Sequence, residues 1–440
     1  MNLLPSIVES FSTLWYLFSH GGWVLAVILV IYLLYQQYLN EIVDQFKSSQ
    51  EWVFLHIRAP KENLVSTMAV EQIFAQLHAV HAGLTFPEQY IEGRVQLWFS
   101  LEIISLGGKI SFIIRAPKAT RDLVESAFYA QYPGAEISEV SDYLENIEFD
   151  PETSDFDLWG IEYKMLEDQA LPIKTYRDFE HTAAEEAVTD PLGALFEALS
   201  KAQPWEFFGV QIIIQPVDDP SWKKPGDKLV KKLTGEPVVK EFSWIEFLLK
   251  PLTAFAEFSF KPKSSSPTPE KKDRNNLMTM TELEKERVTG IQRKISKPGY
   301  NSKIRHLYMA PKGKVDAVKK ALLVGFMRSL GSAWTNGYKP DTRFTWTSGP
   351  KYKISETLEK SYINYISMKR KKSFFDAYKN RSTYAGAAQQ VLNTEELATL
   401  YHLPLSINTA ASAMVDKTDS KKSQPPVNLP VADPEFLELT

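Results

Sequence analysis

Apolar residues are densest near the start of the chain, where no Asp, Glu, Lys or Arg interrupts residues 10–40. Within that interval Trp23–Leu39 reads WVLAVILVIYLLYQQYL. Extended over Gly21, Gly22 and Asn40, it approaches the roughly 20 residues a membrane-spanning helix needs. The pattern therefore predicts a transmembrane helix, with residues 1–45 as a membrane anchor. A cleaved signal peptide is a rival reading, but Glu9 is acidic, no Lys or Arg precedes the run and no small-x-small site follows it. A buried or interfacial helix is the third. Lys47 and Arg58 beyond the run favour a single-pass inner- or cell-membrane protein with a cytoplasmic body.

After the anchor the pattern alternates between strand and helix periods. Trp52–Ala59 (WVFLHIRA) reads as a strand, and Asn63–Ala79 as a helix with Met68, Ile73, Phe74 and Leu77 on its apolar face. Leu97–Leu106 and Lys109–Ala116 read as strands joined at Gly107-Gly108, followed by a helix over Lys118–Gln131 and a short strand over Ala135–Val140. The order βαββαβ is that of a split βαβ, or ferredoxin-like, unit over 46–150. A second unit, 151–345, follows the same plan: Trp159–Leu166, Pro191–Lys201, Glu206–Val217, then after an insertion at 218–301 Ser302–Ala310 and a helix over Val315–Ser329. The fold class expected is α+β, a transmembrane helix followed by two ferredoxin-like units.

Ala-Pro-Lys recurs at three strand-to-helix junctions, residues 59–61, 116–118 and 310–312. Proline suits the first helical position because its missing N–H is not needed there. Lys61, Lys118 and Lys312 are also candidate anion contacts, since lysine and helix-start amides both attract negative charge. In the insertion, Val238–Phe260 carries an aromatic and aliphatic stripe able to face either protein or membrane, and Lys261–Asn276 reads as a flexible bridge. Leu277–Lys294 reads as a charged helix. Further on, Phe344–Trp346 is a strand edge and Lys353–Met368 a helix. Lys369, Arg370, Lys371 and Lys372 precede Phe374, Phe375 and Tyr378, a mixture that could meet phosphate and stack bases. A solvated basic helix beside an aromatic core explains it as simply. Val391–Leu403 holds a capped helix start with Glu395 and Glu396, within a small helical extension at 346–405, and 406–440 reads as a flexible tail.

Composition narrows the chemistry. A chain of 440 residues that is 44% apolar can form two or three cored units, and a net charge of −4 gives no global argument for nucleic-acid binding. With no cysteine, disulfides, thiolate metal sites and cysteine nucleophiles are excluded. The P-loop, G-x-G-x-x-G, H-E-x-x-H and G-x-S-x-G patterns are all missing. His78 and His81 lack a further ligand, and Glu71 and Glu102 lack an identifiable acid/base partner. No catalytic, cofactor or metal residue is assigned.

PEQYIEGRVQLWFSLEIISLGGKISFIIRAP, AFYAQYPGAEISEV and VLNTEELATLYHLP, together with the N-terminal helix, resemble the pre-motor region of membrane-associated bacterial ATPases related to type IV secretion and conjugative DNA transfer. In that family a P-loop motor follows the LNTEELATL-type segment, and this sequence contains no Walker A lysine. The resemblance implies a non-enzymatic, membrane-tethered scaffold or accessory component that positions a separately encoded motor or secretion component. Its expected partners are the lipid bilayer, that P-loop ATPase, and as candidates DNA and a second copy of the chain. The alternative is a nucleic-acid-binding adaptor at the membrane.

Overall fold

The computed structural model describes residues 16, 19, 23–60, 63, 65–180, 190–236, 280–342, 356–404 and 414–418. The first element is a helix, α1 (Trp23–Ser48), and it behaves as two halves. Its C-terminal half lies against the body. Gly93, at φ +66°, leaves no room for a side chain beside the Ile42 backbone, and the Lys47 ammonium sits 4.0 Å from the centre of the Tyr384 ring. The N-terminal half has no such support, and Val27 through Leu34 are all exposed.

Among the described residues no helix is long and apolar enough to cross a membrane. In α1 the unbroken apolar run is Trp23–Tyr35, about 20 Å at 1.5 Å per residue, against a hydrocarbon core of about 30 Å. Gln36, Gln37 and Asn40 follow, and then Glu41, Asp44 and Lys47. The expected transmembrane helix, the lipid-bilayer partner and the single-pass membrane location are corrected accordingly. The expected function, a membrane-tethered scaffold, loses its tether with them. Of residues 1–22 only Tyr16 and Ser19 are described.

The body is built on one nine-stranded sheet. Its first strands are β1 (Trp52–Arg58), β2 (Phe99–Leu106), β3 (Lys109–Pro117) and β4 (Glu136–Val140). They are followed by β5 (Phe156–Met165), β6 (Phe207–Pro216), β7 (Gly299–Pro311), β8 (Tyr338–Pro340) and β9 (Gln390–Asn393). The spatial order is β4-β1-β3-β2-β6-β7-β5-β8, with β9 added to β7. The two halves have the same internal order and meet where β2 pairs antiparallel with β6, from Phe99↔Ile214 to Leu106↔Phe207. Gly107 and Gly108, both at positive φ, make the tight β2–β3 turn, which no Cβ-bearing residue adopts readily. What the alternation pattern divided into two units is thus one hydrogen-bonded surface.

The remaining helices are α2 (Thr67–Leu77), α3 (Phe86–Tyr90), α4 (Arg121–Gln131), α5 (Tyr176–Glu180), α6 (Gly193–Ser200), α7 (Asp219–Thr234), α8 (Glu282–Ile295), α9 (Ala317–Ser329), α10 (Glu356–Lys379) and α11 (Thr394–Leu400). On one face of the sheet Leu55, Ile57, Leu101, Ile103, Ile212 and Tyr308 join Phe74 of α2, Phe128 of α4, Phe196 of α6, Met327 of α9 and Leu397 of α11 in the main core. The opposite face carries a smaller core in which Leu158, Leu307 and Met309 meet Phe374, Phe375 and Tyr378 of α10. Two strand glycines permit that approach: a Cβ on Gly160 would overlap the Phe374 ring, and one on Gly209 the Tyr378 hydroxyl. The insertion contributes the α7–α8 pair, closed over Leu171, Leu229, Leu233 and Ile291. Residues 237–279, which include the Val238–Phe260 stripe and the Lys261–Asn276 bridge, lie outside the described residues, as does Phe344–Trp346.

Both sheet edges discourage self-pairing, which corrects the expectation of a second copy as partner. β4 carries Glu136 and Glu139, held by Arg58 at 2.8 Å and Arg121 at 2.5 Å, and β8 is three residues long and ends in Pro340. Of the tail, residues 414–418 are described, and they lie against β1 and β3.

Candidate functional site

Charge in the interior is concentrated at two places, one on each face of the sheet. Beneath α10, Arg305 of β7 lies fully buried in the middle of its strand. Its Nε donates to Glu162 at 2.6 Å, Nη1 to Gln211 and to the Ala377 carbonyl at 3.2 Å each, and Nη2 to the carbonyls of Ser382 and Ala385 at 2.7 and 2.9 Å. The guanidinium thus ties the Ala377 carbonyl in the last turn of α10, which also accepts from the Ser382 N–H, to two carbonyls of the loop that follows. Burial lowers the Arg305 pKa, and Glu162 opposes that shift. Lys303 donates to the Ala385 carbonyl at 2.6 Å, and its pKa is pushed down to about 8 by burial, against the pull of Glu162.

Arg381, just past α10, completes this layer. Its φ is +49°, uncommon for a residue with a Cβ, and its guanidinium reaches Glu102 of β2 at 3.0 and 3.2 Å and Asp142 at 2.8 Å. Glu102 also accepts from Ser100 at 2.6 Å and from Gln211 at 3.1 Å. Burial would lower the Arg381 pKa, but Glu102 and the neighbouring Tyr143 and Asp142 raise it well above the ordinary value. The arrangement fixes α10 and the loop after it to the sheet with charge-assisted bonds, and its carboxylates are all occupied.

The opposite cluster is built around the LNTEELATL stretch, which forms β9 and α11. Asn393 caps α11 by accepting from the Glu396 N–H at 2.8 Å, while Glu396 accepts from the Asn393 N–H at 3.0 Å. Glu396 further takes the Lys294 ammonium at 3.1 Å and the Ile173 N–H at 2.9 Å. Burial lowers the Lys294 pKa, and Glu396 opposes it. Glu395 accepts from Lys297 at 2.6 Å and Thr175 at 2.7 Å, with Arg293 at 3.3 Å and Arg177 at 3.6 Å. Burial acts to raise the Glu395 pKa, but Lys297, Thr175 and Arg293 together hold it below the ordinary carboxylate value. Lys297 also bridges to Glu71 of α2 at 2.7 Å, and Tyr176 donates to the same carboxylate at 2.7 Å. Two residues beyond α11, His402 faces Asp190 at 3.0 Å, and Asn63 donates to the carbonyls of Leu403 and Pro404.

The residues singled out in the sequence stand elsewhere. Lys61 lies outside the described residues. Lys118 is exposed and paired with Glu51 at 2.7 Å, and Lys312 reaches the Glu152 carbonyl at 3.4 Å. Lys369 and Lys372 line an open cleft of about 470 Å³ with Ser373, Asp376, Asn380 and Ser382, and Lys372 continues into a neighbouring cleft lined by Glu148 and Asp150. Lys371 is paired with Asp157, and Arg370 follows Lys369 on the same helix. Acid and base alternate along these walls, whereas a phosphate backbone requires a basic track. The expectations of DNA as a partner and of a nucleic-acid-binding adaptor are corrected on that ground. His78 and His81 stack at 5.8 Å, and no group of three or more candidate metal ligands occurs among the described residues.

A scan against models of protein families finds no match, and no curated protein matches the chain. The expected separate P-loop motor rested on the sequence resemblance, and neither comparison supplies a link to secretion or DNA-transfer proteins. That partner is accordingly set aside.

Proposed function

We propose that this chain is a non-catalytic assembly module and that the apolar half of α1 seats in a groove of a partner protein. The observation that carries the reading is the exposure of Val24 and of every residue from Val27 to Tyr35, on all sides of the helix. An apolar surface of that extent, free of charge from Trp23 to Asn40, marks an interaction site rather than scattered surface residues. An amphipathic or apolar helix laid into a hydrophobic groove is a recurrent recognition mode, read by anchors at i, i+3, i+4 and i+7. Leu29, Leu33 and Gln36 have that spacing on one side, and Ile28, Ile31 and Tyr35 on another, so the groove has to enclose the helix broadly. The non-catalytic part is supported by how the buried acids Glu102, Glu162, Glu395 and Glu396 are occupied: each holds a cation or a backbone amide in place.

We further propose kinship with the pre-motor regions named above, supported by the three sequence stretches alone. They run from α3 through β3, from the end of α4 through β4, and over β9–α11, where each has a packing role. The test is a photo-crosslinking residue placed in the full chain at Leu29 or at Leu33, with Tyr129 as control. The expected outcome is that one and the same protein is captured from both α1 positions and not from the control, and that its purified form binds the full chain. Capture of unrelated proteins from the two positions, or flotation of the purified chain with protein-free vesicles, overturns the reading.

A further inference from the structure

The β1–β3 pairing runs from Trp52↔Pro117 to Ile57↔Phe112 and then stops, although both strands continue. Beyond it the chain's own Val415–Thr418 enters between them. The Asp416 N–H donates to the Ile110 carbonyl at 2.9 Å, the Ala59 N–H to the Asp416 carbonyl at 3.3 Å, and the Thr418 N–H to the Ala59 carbonyl at 3.0 Å. Val415 is buried in the main core and Thr418 is buried beside it. The Asp416 carboxylate faces three basic groups from the two strands: Lys109 at 3.1 Å, His56 Nε2 at 3.5 Å and Arg58 Nε at 3.7 Å. His56 Nε2 is buried and makes no hydrogen bond, and one carboxylate is shared among all three.

We propose that this opening between the ends of β1 and β3 is a recognition site for an extended acidic peptide of the pattern aliphatic–acid–x–Thr, which Val415–Thr418 fills as an internal ligand. Backbone pairing supplies the affinity of such a site, and the pocket for the aliphatic side chain with the basic trio supplies the selection, as in other strand-addition sites. Burial lowers the His56 pKa toward the neutral imidazole, so Lys109 and Arg58 carry the charge that Asp416 and Glu136 balance, and His56 Nε2 is the group the internal segment leaves without a hydrogen bond. A glutamate in place of Asp416 extends the carboxylate by one methylene toward His56 Nε2. A partner peptide carrying it therefore competes with the internal segment on better terms than the segment itself has.

The experiment uses a fluorescent peptide of residues 412–420, SAMVDKTDS, and its Asp416→Glu form, with anisotropy as the readout. The proteins are the full chain, a full-length Val415→Asp/Asp416→Asn variant whose segment is weakened, and that variant with Arg58→Glu and Lys109→Glu added. Circular dichroism and a thermal melt establish that each remains folded. The expected result is saturable binding to the weakened variant, binding about tenfold or more weaker to the wild-type chain, and loss of about tenfold or more on adding the two charge reversals. The Asp416→Glu peptide binds the weakened variant more tightly than the native one. No saturable binding to the folded weakened variant, or binding indifferent to Arg58 and Lys109 reversal, overturns the proposal.

Discussion

Replacing Arg381 by methionine removes the cation shared by the buried Glu102 and the half-buried Asp142. Glu102 is fully buried, and Arg381 supplies two of its hydrogen bonds, leaving only Ser100 and Gln211 after the substitution. Asp142 loses its cation as well and keeps the Leu144 N–H at 3.0 Å. Breaking a buried pair from one side costs about 3–5 kcal/mol, because the remaining carboxylate stays desolvated without compensation. At about 2–4 °C per kcal/mol for a large domain, the melting temperature falls by about 10 °C. Urea denaturation followed by tryptophan fluorescence measures the loss directly. In the triple variant Arg381→Met/Glu102→Gln/Asp142→Asn no charge is stranded, and more than half of the lost stability returns. A cost below about 1 kcal/mol for the single variant, or no recovery in the triple one, would refute the assignment of this network as the clamp that holds α10 to the sheet.

Three further outcomes follow from the same geometry. Glu395 has a folded-state pKa below the ordinary glutamate value of 4.5, so its contribution is fully present above about pH 4.5 and is lost as pH falls through the lowered value; acid titration of Glu395→Gln is expected to show a shallower decline there than wild type. Lys303 shifts in the same direction but in an alkaline window: with its pKa lowered to about 8, the folded state binds protons less readily than the unfolded one, so stability rises from about pH 8 toward pH 10. Lys303→Met removes that rise, as equilibrium unfolding at the two pH values would register. Gly209→Ala places a methyl group against the Tyr378 hydroxyl and costs about 1–3 kcal/mol, and adding Tyr378→Phe recovers part of it, which a double-mutant cycle in urea measures.

The strands were legible because alternation of apolar and polar positions is local. Trp52–Ala59, Leu97–Leu106 and Lys109–Ala116 correspond closely to β1, β2 and β3. The β2–β6 seam was not legible, since its partners lie more than a hundred residues apart and each strand reads equally well as an edge or as a central strand. The same distance hid the ion pairs. Glu395 and Glu396 were read as acids at a helix start, which their capping geometry accords with for Glu396, but Lys294, Lys297 and Arg293 belong to another element. A signal was available in Glu102, Glu162 and Arg305, charged residues inside apolar strands that are almost never buried unless paired. Gly160 and Gly209 were a second signal, because glycine within a strand marks close approach of another group. In the N-terminal helix the uncharged interval is legible in the sequence, but its continuous apolar run is cut short by Gln36 and Gln37 and by the acids Glu41 and Asp44 that follow.

The central claim is that the apolar half of α1 is held by protein. Its most direct measure is the affinity of the full chain for the protein captured at Leu29 and Leu33, compared with the Leu29→Asp/Leu33→Asp variant. Burial of two leucines contributes about 3–6 kcal/mol, so the account predicts binding weakened by about a hundredfold or more, with no change in thermal stability because both side chains are exposed in the free chain. Unchanged affinity in the folded variant would contradict it.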